Sequence, residues 1–179
     1  MQVDQYFLHN SDIFPNNRLP VLHYKQVFRV PRLFPAMKAK KMLQQNGWTN
    51  NWNAGIFTYQ HYHSNTHEAM VAINGQAMLL LGGENGRIVT LKKGDVIVIP
   101  AGVAHKNLGK EFSVTCIGGY PDGIDYDMKY GSHGERPAAD MNISDVRIPD
   151  KGPVSGDEDP LVEIWNSIEA PEINRLKAV

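Results

Sequence analysis

At 179 residues the chain is long enough to bury a substantial core, and one domain is the default at this length. Hydrophobic content of 42% and charged content of 21% are ordinary for a soluble globular protein, and a net charge of -1 gives no electrostatic reason to expect nucleic acid or an anionic membrane as partner. Cys116 is the single cysteine, which excludes an intramolecular disulfide; no apolar run approaches the roughly 20 residues that span a bilayer, and residues 1–6 lack the basic and apolar regions of a signal peptide, so the cytoplasm is the expected compartment.

Residues 1–33 hold short apolar pieces broken by Pro15, Pro20 and Pro31, with strands expected at 21–24 and 26–30. Such pieces suit an arm or edge strand, and an exposed edge invites pairing with a second subunit, so a homodimer is expected. His9 and His23 have no partner at ligand spacing and read as ordinary structural or surface residues. The pattern predicts a helix over about 35–46: Pro35 suits the first helical position, Ala, Met, Lys, Leu and Gln dominate, and Gly47 suits the C-terminal cap. Ala36, Ala39 and Leu43 form its apolar stripe, and Lys38, Lys40 and Lys41 read as a solvated face. The polar stretch 46–55 reads as a connection, in which Trp48 and Trp52 pack the helix onto a sheet or, alternatively, wall a pocket.

From there the strand pattern is dense, at 56–63, 69–73, 76–81, 87–91, 95–99, 104–108 and 112–118, separated by turns bearing Gly, Asn or Pro. Seven short strands at this spacing argue for an all-β sandwich or barrel. Beyond Pro121 the composition shifts to Asp, Gly and Pro, with six prolines between 121 and 171, yet Tyr126, Tyr130, Leu161 and Trp165 are too apolar for a disordered tail. An irregular packed wrap is expected there, with 161–165 as a further strand.

The chemistry concentrates in two stretches. His61 and His63 lie two apart in an extended run and project to one face; a turn-prone Ser-Asn-Thr follows, and an antiparallel return would carry Glu68 back over the imidazoles. His105, after the Pro100-Ala101-Gly102 turn, is a fourth candidate ligand. Imidazole and carboxylate together suit one divalent transition metal (Fe, Mn, Ni, Co, Cu or Zn), without choosing among them. His67, adjacent to Glu68, would point away from the cavity, into a supporting or surface role. Tyr59 shares parity with His61, and Met70 and Ala72 share parity with Glu68, so these would line a mainly apolar cavity in which Tyr59 is the candidate acid or hydrogen-bond donor.

These stretches resemble the paired motifs of the cupin superfamily, the RmlC-like jelly rolls. Gly55, His61, His63, Glu68 and Gly75 fill every fixed position of the first motif; Gly94, Pro100, Gly102 and His105 match the second, whose final Asn is replaced by Gly109. Asn107 lies on the same strand parity as His105 and is the candidate substitute for that Asn, as a residue supporting His105 or a metal-bound water. Phe14-Pro15-Asn16-Asn17, Asn46-Gly47-Trp48, His61 to Glu68, and Pro160 to Trp165 are similar to the YjlB-like cupins, a bacterial group without an assigned activity. The resemblance implies a single cupin-type jelly-roll β-barrel: an N-terminal arm, edge strands and helix over 1–54, a core with both motifs over 55–120, and a C-terminal extension over 121–179. It also implies a metal held by His61, His63, Glu68 and His105 and a small-molecule ligand in the barrel. Two classes of function follow. One is a metal-dependent enzyme, an oxidoreductase of the dioxygenase type or an isomerase or lyase; the other is a metal- and ligand-binding module without turnover.

Overall fold

The barrel is organised by one long bent strand. In a computed structural model, which describes residues 1–176 with side chains to residue 169, eight strands and three α-helices are present among the described residues: β1 (Val3–Tyr6), β2 (Val21–Tyr24), α1 (Pro35–Gln45), β3 (Trp48–Ala54), β4 (Glu68–Leu81), β5 (Arg87–Lys92), β6 (Val96–Ile99), β7 (His105–Asn107), β8 (Val114–Pro121), α2 (Ala138–Asp145) and α3 (Pro160–Leu176). All strand pairs are antiparallel, in the order β1-β2-β6-β4-β8-β3. The first half of β4 pairs with β6 and β8, and its second half pairs with β5 and β7 to form the opposing sheet. The bend falls at Gly75, where φ is +70° and an added Cβ would stand 2.1 Å from the Ser113 carbonyl oxygen; only glycine satisfies both demands. This is an antiparallel jelly-roll barrel with an N-terminal helix.

Strand parity divides β4 and β6 between two cores. Met70, Ala72, Ile97 and Ile99 face the barrel interior with Leu79, Leu91 and Cys116, whereas Ala69, Val71, Val96 and Val98 face a second layer built from Leu43 of α1 and Leu161 and Trp165 of α3. Because both faces of the sheet are covered, β6 reads Val-Ile-Val-Ile with no polar alternation. The α1 helix begins at Pro35, buries Ala39 and Leu43, and is followed by Gly47 at φ +81°, as its pattern predicts.

Four element expectations away from the histidines need correction. The 161–165 strand is the start of α3: Asp159 accepts a hydrogen bond from the Leu161 N–H, Pro160 occupies the first turn, and Leu161, Ile164, Trp165 and Ile168 recur at helical spacing against the second core. The C-terminal segment also holds α2, whose Ala139 and Ile143 pack with Phe14, Tyr62 and Ala104. The polar 48–54 stretch is a strand, β3, in which tertiary pairing with β8 overrides weak propensity; the Asn51 amide fills a break in the ladder by donating to the Trp48 and Gly118 carbonyls. Conversely, 26–30 is not a strand, because Gln26 turns at φ +53° and its N–H bonds the Asp95 carboxylate. No helix among the described residues is long and apolar enough to cross a membrane.

Candidate metal centre

The approach to the histidines is not a continuous strand. Its backbone hydrogen bonds go to different partners in turn: Ile56 N–H to Glu111, Phe57 carbonyl from Asn107 N–H, His61 to His105 in both directions, and Tyr62 to Lys129 in both directions. No single neighbour runs alongside 56–63, so the ladder never forms, yet His61 and His63 still face inward together. His105 sits opposite His61 at the start of β7, and Glu68 enters from the first residue of β4.

The ligand nitrogens of His61, His63 and His105 all lie within 4.8 Å of one another. Each ring is aimed the same way. The Nδ1 of His61 faces the Tyr59 carbonyl oxygen at 3.1 Å, that of His63 the Asp127 carbonyl oxygen at 2.5 Å, and that of His105 the Val103 carbonyl oxygen at 3.1 Å. A carbonyl oxygen only accepts, so Nδ1 carries the hydrogen in all three and Nε2 presents its lone pair to the cavity. The Glu68 Oε2 stands 3.4 Å from Nε2 of His105 and 3.6 Å from Nε2 of His63. Donors at roughly 2.1 Å from a shared ion, spread at tetrahedral or octahedral angles, stand roughly 3.0–3.5 Å apart. The three converging imidazole nitrogens are a donor set that suits a divalent transition metal, and the Glu68 carboxylate stands beside two of them.

Burial and mutual proximity set the charge states. Burial and the neighbouring His105 ring pull His61 down to about 3, which keeps it neutral. Burial opposes ionisation of Glu68, but His63 and His105 outweigh it and hold the carboxyl well below its usual range. Burial likewise opposes protonation of His63, and Glu68 outweighs it, so this ring is shifted upward.

Glu68 is itself held. Its Oε1 accepts a hydrogen bond from the Tyr120 hydroxyl at 2.8 Å, and that hydroxyl accepts one from the Trp52 indole N–H at 2.9 Å. Gly118 makes room for this chain, because a Cβ there would lie 1.9 Å from the Trp52 ring. The cavity, of about 140 Å³, is walled by Trp52, Ile56, Phe57, Met70, Tyr126 and Met128, with the four polar residues and Tyr120 at its floor. Trp52 thus walls the pocket, while Trp48 is buried between helix and sheet and donates to the Lys151 carbonyl.

The other expected site residues lie elsewhere. Tyr59 is 46% exposed, stacked on Phe57 outside the cavity; the bends that break the 56–63 strand turn it away, and it is Tyr120 that brings a phenol to Glu68. Asn107 uses its amide on the following turn, donating to the Lys110 carbonyl and Ser113 hydroxyl and accepting from the Gly109 N–H. These bonds join it to the turn, not to the His105 ring. His67 points away from the cavity as its parity requires, but into the second core and not to the surface: Nδ1 accepts from the Ala101 N–H, Nε2 donates to the Arg147 carbonyl, and the ring packs on Trp165. Burial pulls its pKa down to about 4. Tyr120, Tyr126 and Met128 escaped sequence reasoning. For Tyr120 a signal existed, since Val114, Cys116, Gly118 and Tyr120 alternate along β8 on the barrel side.

A sheet bent back on itself around an inward cluster of histidines is the architecture of a cupin, and the cupin family model matches residues 47–118. The chain belongs to this family. It is 38% identical over 165 residues to the uncharacterized protein YjlB of Bacillus subtilis (strain 168), covering 92% of this chain and 97% of that one. Solved structures that match include acireductone dioxygenase from Bacillus anthracis with a cadmium ion in its active center (14% identity, 51% of this chain, 61% of that one, TM-score 0.37). Pumpkin seed globulin also matches (18% identity, 44% of this chain, 22% of that one, TM-score 0.36). This chain therefore spans less than two thirds of either solved chain.

Proposed function

We propose that this cupin holds one divalent transition metal through His61, His63, Glu68 and His105 and acts as a metal-dependent oxidoreductase of the dioxygenase type on a small organic molecule. The observation that carries the reading is the common orientation of the three imidazoles: three separate backbone carbonyls fix three Nδ1–H groups, which leaves the Nε2 atoms free to converge, those of His63 and His105 beside Glu68. Four protein donors leave open positions on a six-coordinate ion, where the metal would supply Lewis acidity and a meeting place for substrate and dioxygen. The protein's part is to orient and to exclude water. Trp52 and Tyr120 hold one Glu68 oxygen so that the other faces the histidines, and Met70, Met128 and the aromatic walls keep the floor dry.

The supply of proton-transfer groups favours this chemistry over an isomerase or lyase. Among the described residues lining the cavity, the titratable side chains outside the four donors are Tyr120 and Tyr126, and the Tyr120 proton is committed to Glu68. Burial and Glu68 both push the Tyr120 pKa up, leaving it a poor acid. Metal analysis of protein purified without chelator, followed by dioxygen uptake with a panel of small acids, phenols and thiols, tests the proposal. Retained metal with uptake that disappears in His61→Ala and His105→Ala is the expected result; retained metal without uptake on any compound would overturn the dioxygenase reading. The β1 edge of the sheet is open to strand addition, and a homodimer paired there is part of the same proposal.

A further inference from the structure

We infer that the cavity takes a small monoanion carrying a flat apolar body about the size of one aromatic ring, bound through its anionic oxygen or sulfur. Resting on the metal site proposed above, this adds the class of ligand, and it follows from charge, wall chemistry and size taken together.

Three neutral imidazoles, one carboxylate and one divalent ion leave a single positive charge at the cavity floor. Among the described lining residues there is no Lys or Arg to add a second. One negative charge on the ligand is therefore matched, and a second would be desolvated with no partner; a neutral ligand would leave the floor uncompensated. The polar atoms of Trp52 and Tyr120 are already engaged. The Trp52 N–H is given to Tyr120 and the Tyr120 hydroxyl to Glu68, so these two residues offer the ligand ring surface and not hydrogen bonds. Ile56, Met70 and Met128 complete an apolar enclosure.

Aromatic rings also frame the opening. Tyr126 is 41% exposed at the cavity wall with its ring stacked on Tyr120, and Phe57 stacks on Tyr59, which approaches Tyr130. Exposed flat apolar surface gathered at a pocket mouth is costly to leave in water and suits a flat guest. The volume of about 140 Å³, part of which the ion would take, limits the enclosed part of the guest to about one ring. An apolar protein cavity of ~150 Å³ accepts a benzene ring.

The test uses the full chain loaded with Zn(II), a redox-inert probe metal, and has two arms. Chelator competition measures Zn(II) affinity in the wild type and in His105→Ala; failure of the wild type to bind Zn(II) overturns the metal site and this inference with it. Calorimetric titration of the Zn(II) form then compares benzoate with acetate (same charge, no ring), benzamide (same ring, no charge) and isophthalate (same ring, two charges). Benzoate is expected to bind at least about tenfold tighter than each of the three, and Tyr126→Ala to weaken it by about tenfold. Zn(II) bound normally, with acetate, benzamide or isophthalate within threefold of benzoate, overturns the ligand class and leaves the metal site standing.

Discussion

Tyr120→Phe removes one oxygen atom and disconnects two neighbours at once. The Glu68 Oε1 loses a 2.8 Å hydrogen bond to a carboxylate, a type of bond that contributes about 1.5–3 kcal/mol net, and the half-buried Trp52 N–H loses its acceptor, for a cost of about 1 kcal/mol at its partial exposure. The expected loss of stability is about 3 kcal/mol in metal-free protein, read by urea denaturation in the presence of chelator. Stability alone would not separate a positioning role from packing. Metal affinity does, because a Glu68 released at Oε1 no longer presents Oε2 at a fixed place, and outer-sphere partners of this kind typically change affinity by roughly 10- to 100-fold. Chelator competition for Zn(II) should show a loss in that range. Trp52→Phe should produce a smaller loss, and the double variant should fall short of the sum, since both act through the same hydroxyl. Zn(II) affinity of Tyr120→Phe within threefold of wild type would refute the positioning role, whatever happens to stability.

Three further outcomes are expected. Asn107→Ala should cost about 1–3 kcal/mol in denaturation, because the Lys110 carbonyl, Ser113 hydroxyl and Gly109 N–H all lose their partner, while Zn(II) affinity by chelator competition stays within threefold. For pH dependence, burial raises the Asp95 carboxyl, but hydrogen bonds from Gln26 and Lys92 and the His23 ring outweigh it and leave it below the usual range. A lowered folded pKa means stability that is present above the unfolded value of about 3.9 and lost as pH falls through the folded one; Asp95→Asn should flatten that acid limb of the stability curve, and an unchanged limb counts against the assignment. Light scattering at micromolar concentration should give twice the monomer mass if β1 edges pair, and a monomer mass removes the dimer.

Much of this protein was legible in the residues themselves, where local pattern and global fold agree. The α1 boundaries follow from Pro35 and Gly47, and the positions of Gly75 and Gly102 follow from backbone turns at positive φ that only glycine adopts cheaply. That His61 and His63 face one way was legible from their two-residue spacing, and that His105 joins them from the resemblance to the paired motifs. The α3 helix was legible too, from Asp159-Pro160 and the recurrence of Leu161, Ile164, Trp165 and Ile168, but a short apolar run read as a strand concealed it. What the chain could not disclose locally depends on partners far away in sequence. The polar 48–54 stretch becomes β3 only because β8 offers it an edge, and Tyr59 leaves the cavity because the backbone of 56–63 is shared among Glu111, Asn107, His105 and Lys129. The direction of each imidazole is decided by the carbonyls of Tyr59, Asp127 and Val103, and the hold on Glu68 by Tyr120, 52 residues along the chain. Parity places a side chain on a face; which atom of it is free to bind is set by hydrogen bonds that exist only once the two sheets and their loops have closed.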